Sequence, residues 1–217
     1  MEHQRHILVV LPHPDDEVGM AGTLAWHIQN GTPVTYVCLT LGEMGRNLGN
    51  PPFASRSTLP AIRRQELEAS CKAIGIQDVR YWGMHDKTVE FEPREPFIAR
   101  IQALLAEISP SLVLTYYPGY SVHPDHDACG AAVIEAVRRL PAGERPAVHC
   151  TAFASNREAA LGKPDISNDV GAMLEFKQAS LRAHRSQFQI MLLGQADGSP
   201  ELIARLSKEA FWTYPFS

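Results

Sequence analysis

Apolar residues follow two alternating rhythms along the chain. Ile7-Leu8-Val9-Val10-Leu11, Val34 to Thr40, Val79 to Trp82, Leu112-Val113-Leu114-Thr115-Tyr116 and Ala147 to Phe153 are short apolar runs rich in β-branched residues. Runs of that length and type predict strands, the first and fourth buried on both faces. Between them the spacing changes to that of a helix. Val18, Ala21, Leu24, Ala25 and Ile28 share one face of a helix expected over Val18 to Asn30. Further helices are expected over Pro60 to Gly75, over Glu95 to Ile108, and from His126 onward with Ala132, Val133, Ala136, Val137 and Leu140 on the apolar side. Gly75 is a stop signal, and Pro110 ends the helix before it. Val170 to Arg185 and Pro200 to Thr213 are also expected to be helical. Strands alternating with helices imply a mainly parallel sheet covered on both faces. The expected fold is therefore α/β, a three-layer α/β/α sandwich with a Rossmann-like sheet, forming a single domain over residues 1–217.

In the common strand order 3-2-1-4-5, strands one and four are neighbours and the order reverses between them. Ligands of open α/β sheets bind at that reversal, beyond the carboxyl ends of the strands. Both ends carry chemistry here. His13-Pro14-Asp15-Asp16-Glu17 follows the first strand, and His123-Pro124-Asp125-His126 follows the fourth. Three adjacent carboxylates repel one another unless something positive lies among them. Imidazole plus carboxylate is a ligand set that zinc accepts, and iron(II) is a second candidate. Two His and one Asp from the two turns would leave a fourth position open, as in catalytic zinc sites. The residues alone do not say whether Asp15 or Asp16 is the ligand.

The two His-Pro-Asp motifs, in this order and context, resemble the LmbE/PIG-L family of zinc-dependent N-acetylglucosamine deacetylases. Arg63-x-x-Glu66 leading to Gly75, and Lys177 followed by His184-Arg185-Ser186-Gln187, extend the resemblance over most of the chain. Chain length and Gly83-Met84-His85-Asp86-Lys87 look most like the bacillithiol-biosynthesis deacetylases. The resemblance implies His13, Asp16 and His126 as metal ligands and Asp15 as general base. His123 is the implied oxyanion donor, expected to be held by Asp125 and thereby favoured in its protonated form. Arg63 is the candidate clamp for an anionic aglycone. Asp86, at the end of the third strand, is a candidate for sugar hydroxyls, with a capping or turn role as the alternative. Glu17 suits the first turn of a helix through the helix dipole. The implied activity is removal of acetyl from an N-acetylglucosamine conjugate, with N-acetylglucosaminyl malate as first candidate. Another GlcNAc conjugate or a chitin oligosaccharide is the rival substrate.

Composition narrows the remaining classes. Hydrophobic residues make up 45% of the 217 and charged residues 20%, as expected for a globular protein. A net charge of −4 without a Lys/Arg run argues against nucleic acid as a partner. The polar start Met1-Glu2-His3-Gln4-Arg5-His6 predicts no secretory leader, and no run reaches the ~18 apolar residues of a membrane helix. Cys38, Cys71, Cys129 and Cys150 lack Cys-x-x-Cys spacing, which suits a reduced cytoplasmic protein. A homo-oligomer stays open. A nucleotide-binding module is disfavoured: no Gly-x-Gly-x-x-Gly follows the first strand, and Asp15, Asp16 and Glu17 would repel a pyrophosphate. Leu41 to Leu59 is rich in Gly, Asn, Pro and Ser, and its length predicts a lid.

Overall fold

A computed structural model describes residues 1–193 and 199–216. Its centre is a seven-stranded sheet in the order β3-β2-β1-β4-β5-β7-β6. The strands are β1 (Ile7–Leu11), β2 (Val34–Cys38), β3 (Asp78–Tyr81), β4 (Leu112–Tyr116), β5 (Ala147–Thr151), β6 (Ile166–Asp169) and β7 (Lys208–Thr213). The first five are parallel in the expected order; β7 and β6 extend the sheet by antiparallel pairing.

β1 shows why the sheet is covered twice. All five of its residues are fully buried. Leu8 and Val10 point to one face, where they meet Phe97, Ile98 and Ile101 of α3 (Arg94–Ile108) and Val133 and Val137 of α4 (Pro124–Arg138). Ile7, Val9 and Leu11 point to the other, against Leu24 and Ala25 of α1 (Ala21–Gln29) and Leu67, Cys71 and Ile74 of α2 (Leu59–Ile74). Period-2 alternation puts both sets to use, giving the three-layer sandwich.

The carboxyl-terminal part departs from expectation. The helix predicted over Pro200 to Thr213 is the short α8 (Pro200–Leu206), followed directly by β7. Glu209 disguises that strand. Its side chain is buried, accepting the N–H groups of Gly22 and Thr23 at 3.0 and 2.7 Å and pairing with Lys177 Nζ at 2.6 Å. A charge at an inward position breaks the alternation by which a strand is recognised. β6 is too polar to register as a strand at all. The helix expected over Val170 to Arg185 is also divided. A 3-10 turn at Gly171–Met173 leads into α6 (Leu174–Ala183), and α7 (Arg185–Leu193) starts beyond a break at His184. A five-residue α5 (Arg157–Leu161) lies between β5 and β6. At the other end, the first helix begins as a 3-10 turn, Asp16–Met20, before α1. No helix among the described residues is long and apolar enough to cross a membrane.

Candidate metal centre and active site

β1 and β4 are hydrogen-bonded neighbours, so the turns that follow them face each other. Pro124 occupies the first turn of α4, where its missing N–H costs nothing. His123 caps that helix, its Nδ1 accepting the N–H of Asp125 at 3.2 Å. On the other turn, His13 N–H donates to Asp16 Oδ2 at 2.8 Å, folding the Asp16 carboxylate back toward the His13 ring.

Ligand atoms of three residues converge. His13 Nδ1 lies 3.2 Å from His126 Nε2, His126 Nε2 lies 3.3 Å from Asp16 Oδ1, and His13 Nδ1 lies 3.5 Å from Asp16 Oδ2. Zinc–nitrogen bonds of roughly 2.0–2.1 Å arranged tetrahedrally require ligand atoms about 3.3 Å apart. The donor set thus fits a small divalent ion. Tyr116 stacks on the His126 ring at 4.0 Å and 6° and fixes its plane. His13 presents its other nitrogen, Nε2, to Asp125 Oδ2 and Asp86 Oδ1, each at 3.2 Å. Ligand atoms of His13, Asp86 and Asp125 also lie within 4.8 Å of one another. Both Asp125 oxygens, however, already accept backbone N–H groups, from Lys87 at 2.7 Å and Val89 at 3.1 Å, and Asp86 Oδ2 accepts that of Met44 at 2.8 Å. These carboxylates are better suited to orienting His13 than to holding an ion, in the carboxylate–histidine–metal pattern.

Two expected contacts are therefore redirected. The Asp125 carboxylate holds His13 rather than His123; only its backbone N–H reaches His123. The His123 pKa is lowered, by burial first and then by His13 and His126, which outweigh the opposite pull of Asp125. A neutral ring that accepts at Nδ1 carries its proton on Nε2, so His123 is a donor without being charged. Asp86 is largely buried and bonded to His13 and to the Met44 N–H, and it lines the cavity around this centre.

Asp15 and Asp16 have opposite surroundings. Burial works against charge on Asp16, and His126 and His13 outweigh it, so its pKa falls well below the carboxylate range. Burial raises the Asp15 pKa to about 6, opposed by Arg63 and reinforced by Asp16. One fifth of the Asp15 side chain nevertheless stays open to the pocket. Arg63 Nη2 donates to Asp15 Oδ2 at 2.8 Å and to the Pro14 carbonyl, and Nη1 donates to the Gly42 carbonyl at 3.0 Å. Gly42 is required there. Its φ is +64°, and a Cβ would sit 1.8 Å from Arg63 Nη1. Arg63, the expected substrate clamp, is buried and bonded to Asp15. Around this centre lies a cavity of about 380 Å³ whose lining includes His13, Asp15, Arg46, Lys87, His123 and Gln187.

A family model described as PIG-L, GlcNAc-PI de-N-acetylase, matches residues 8–137, the span holding both His-Pro-Asp turns. The chain belongs to the PIG-L family. Relatives extend the match past that span. The protein named probable N-acetyl-alpha-D-glucosaminyl L-malate deacetylase 2 of Bacillus anthracis is 48% identical over 221 residues, covering 100% of this chain and 98% of the relative. Its Bacillus subtilis namesake is 45% identical over 219 residues, covering 99% of each. Among solved structures, the N,N'-diacetylchitobiose deacetylase of Pyrococcus horikoshii aligns with a TM-score of 0.73 at 27% identity, over 98% of this chain and 84% of that one. The 4-carboxy-2-hydroxymuconate hydratase GalB aligns at 0.74 with 19% identity over 97% of each, a likeness of fold alone.

Two further parts of this PIG-L site are placed by contacts between residues distant in sequence. Glu17 lies in the first turn of the 3-10 helix, as expected, but it is fully buried. Its Oε2 accepts the N–H of Asp15 at 3.0 Å, and its Oε1 meets Ser70 Oγ and His184 Nε2, each at 2.5 Å. Asp15 sits at φ +102°, a conformation an aspartate holds only when its surroundings impose it. The second part is the Leu41 to Leu59 segment, which has no strand and lies against α7. Asn47 Nδ2 donates to the Gln187 carbonyl at 2.9 Å, Gln187 Nε2 donates to the Asn47 carbonyl at 3.1 Å, and the Arg185 guanidinium lies 5.3 Å from the Phe53 ring centre.

Proposed function

We propose that this chain is a zinc-dependent deacetylase that removes the N-acetyl group from an N-acetylglucosamine conjugate, N-acetylglucosaminyl malate being the first candidate. The observation that carries the reading is the convergence of His13, Asp16 and His126 beside an Asp15 whose pKa is set apart from that of Asp16. Near-full-length similarity to relatives named for this activity supports the choice of substrate.

His13 Nδ1, His126 Nε2 and Asp16 would hold the ion, which when bound supplies Lewis acidity to the acetamido carbonyl and to water. Asp15 handles the proton. Its Oδ2 is engaged by Arg63, leaving Oδ1 to take a proton from the attacking water and return it to the departing amine. A pKa near 6 suits a base that must also act as an acid. His123 donates from Nε2 to the oxygen on which negative charge develops. Asp125 and Asp86 keep His13 in the tautomer that points Nδ1 at the ion. The Leu41 to Leu59 segment, tied to α7, acts as the lid that excludes water from this step. Four free, buried thiols favour a reducing cytoplasmic setting.

Acetate release tests the reading. Zinc-loaded protein should deacetylate N-acetylglucosaminyl malate with a higher kcat/KM than N,N'-diacetylchitobiose. Faster turnover of the chitin disaccharide would reassign the substrate, and no acetate from either would reject the activity.

A further inference from the structure

The pocket is acidic at its floor and cationic at its mouth. Asp15, Asp16 and Asp86 lie deep with the histidines, whereas Arg46 and Lys87 line the same cavity with exposed side chains. Arg63, the remaining cation of the lining, is spent on Asp15, Pro14 and Gly42. Among the described residues neither the Arg46 nor the Lys87 side chain has a hydrogen-bond or ion-pair partner. Lys87, in contrast, is held through its own backbone N–H, and Arg46 adjoins a bonded turn. Lys87 N–H donates at 2.7 Å to Asp125 Oδ2, the oxygen that touches His13, and Lys87 sits at φ +66°. Arg46 follows a tight turn in which Met44 N–H donates to Asp86 Oδ2 at 2.8 Å, Gly45 N–H to the Gly42 carbonyl at 3.0 Å, and Arg56 Nη1 to the Gly45 carbonyl at 2.5 Å. Lys87 thus springs from backbone bonded to Asp125, and Arg46 lies two residues beyond Met44, whose N–H is bonded to Asp86; both carboxylates orient His13.

We propose that Arg46 and Lys87 form the subsite for the carboxylates of an anionic aglycone, and that they select this enzyme's substrate among N-acetylglucosamine conjugates. The inference rests on the deacetylase reading above and names the groups that give it specificity. A net charge of −4 offers a dianion no attraction at long range, so its recognition has to be local. The guanidinium fork of Arg46 matches one carboxylate in a bidentate pair, and the Lys87 ammonium serves the other as a point charge. A neutral glycoside would leave both cations in water and gain nothing from them. Anchoring of the Lys87 N–H and of the turn before Arg46 reduces the ordering cost of binding.

The test compares zinc-loaded wild type with Arg46→Gln and Lys87→Gln, using N-acetylglucosaminyl malate and the uncharged methyl glycoside of N-acetylglucosamine. Binding is read by calorimetry and turnover by acetate release; zinc content and Tm verify the fold. Each substitution should weaken binding of the malate conjugate about 10-fold or more, the worth of a hydrogen bond to a charged group. The loss should appear in KM rather than kcat and exceed that on the methyl glycoside. The double variant should lose the preference for the anion, and Arg46→Lys should recover part of it. Added salt should shrink the wild-type preference. Equal losses on both glycosides, unchanged affinity for the malate conjugate, or a wild type that does not prefer it would overturn the subsite. Should wild type bind the malate conjugate without cleaving it, the deacetylase reading fails while calorimetry still decides the subsite.

Discussion

Asp15 and Arg63 act as one unit, and the pH profile is where that shows. As the proposed base Asp15 would work ionised, so kcat/KM should be lost as pH falls through its pKa. That pKa is about 6 in the metal-free protein, and a bound cation lowers it, placing the acid limb at or below pH 6. Arg63→Gln removes the guanidinium that opposes burial. The limb should then move to higher pH, as measured by kcat/KM between pH 4.5 and 8. A limb that stays in place while only the malate conjugate loses affinity would return Arg63 to the aglycone. Glu17 yields a second expectation, because it holds the backbone N–H of Asp15, the proposed base. Glu17→Gln should keep the metal and KM while kcat drops about 10–100-fold, the usual cost of losing an outer-shell partner. A loss of zinc would instead make Glu17 a support for Asp16. The two His-Pro-Asp motifs were legible because the donor types for a metal cannot be exchanged and each motif is contiguous. The Arg63–Asp15 and His184–Glu17 pairs were not, since they join positions 48 and 167 residues apart.

At the level of elements, the antiparallel end of the sheet depends on one buried charge pair. Lys177 and Glu209 are 6% and 0% exposed and join α6 to β7, while Glu209 also caps α1. Removing one partner of such a pair leaves an uncompensated charge, at a cost of roughly 3–5 kcal/mol. Glu209→Gln should therefore lower Tm by roughly 6–20 °C for a chain of this length, as measured by scanning calorimetry. A shift under about 2 °C would mean that water reaches the site. The same residue explains what the pattern concealed. β1, β2 and β4 were readable because both their faces are apolar. β7 reads as helical in the sequence because Glu209 occupies an inward position, and β6 gives no strand signal because it has little apolar surface to bury.

Across the whole molecule, a metal held by His13, Asp16 and His126 would tie the turn after β1 to the turn after β4, bridging the two halves of the sheet. Zinc at 100 times its Kd should add about 2.7 kcal/mol to stability, which a chelator would remove. The pH dependence has a definite sign. Burial opposes charge on His13, but Asp125, Asp16 and Asp86 outweigh it and raise its pKa well above the usual value. In the metal-free protein that pairing stabilises the fold below the unfolded pKa and is lost as pH rises through the folded one. Metal requires the neutral ring, so the increment from zinc should grow with rising pH and vanish in acid. Thermal unfolding with and without chelator between pH 5 and 9 measures both trends. An increment that is flat in pH would mean that His13 is not a ligand.

The most direct test of the central claim is zinc content measured beside kcat for Asp15→Asn and Asp16→Asn. The two acids are neighbours in sequence and of equal size, so only their surroundings can separate their roles. Asp15→Asn should stay loaded and lose about 10²–10⁴-fold in kcat, the worth of a general base. Asp16→Asn should come out depleted of zinc and inactive together. An empty Asp15→Asn protein beside a loaded Asp16→Asn protein would contradict the account.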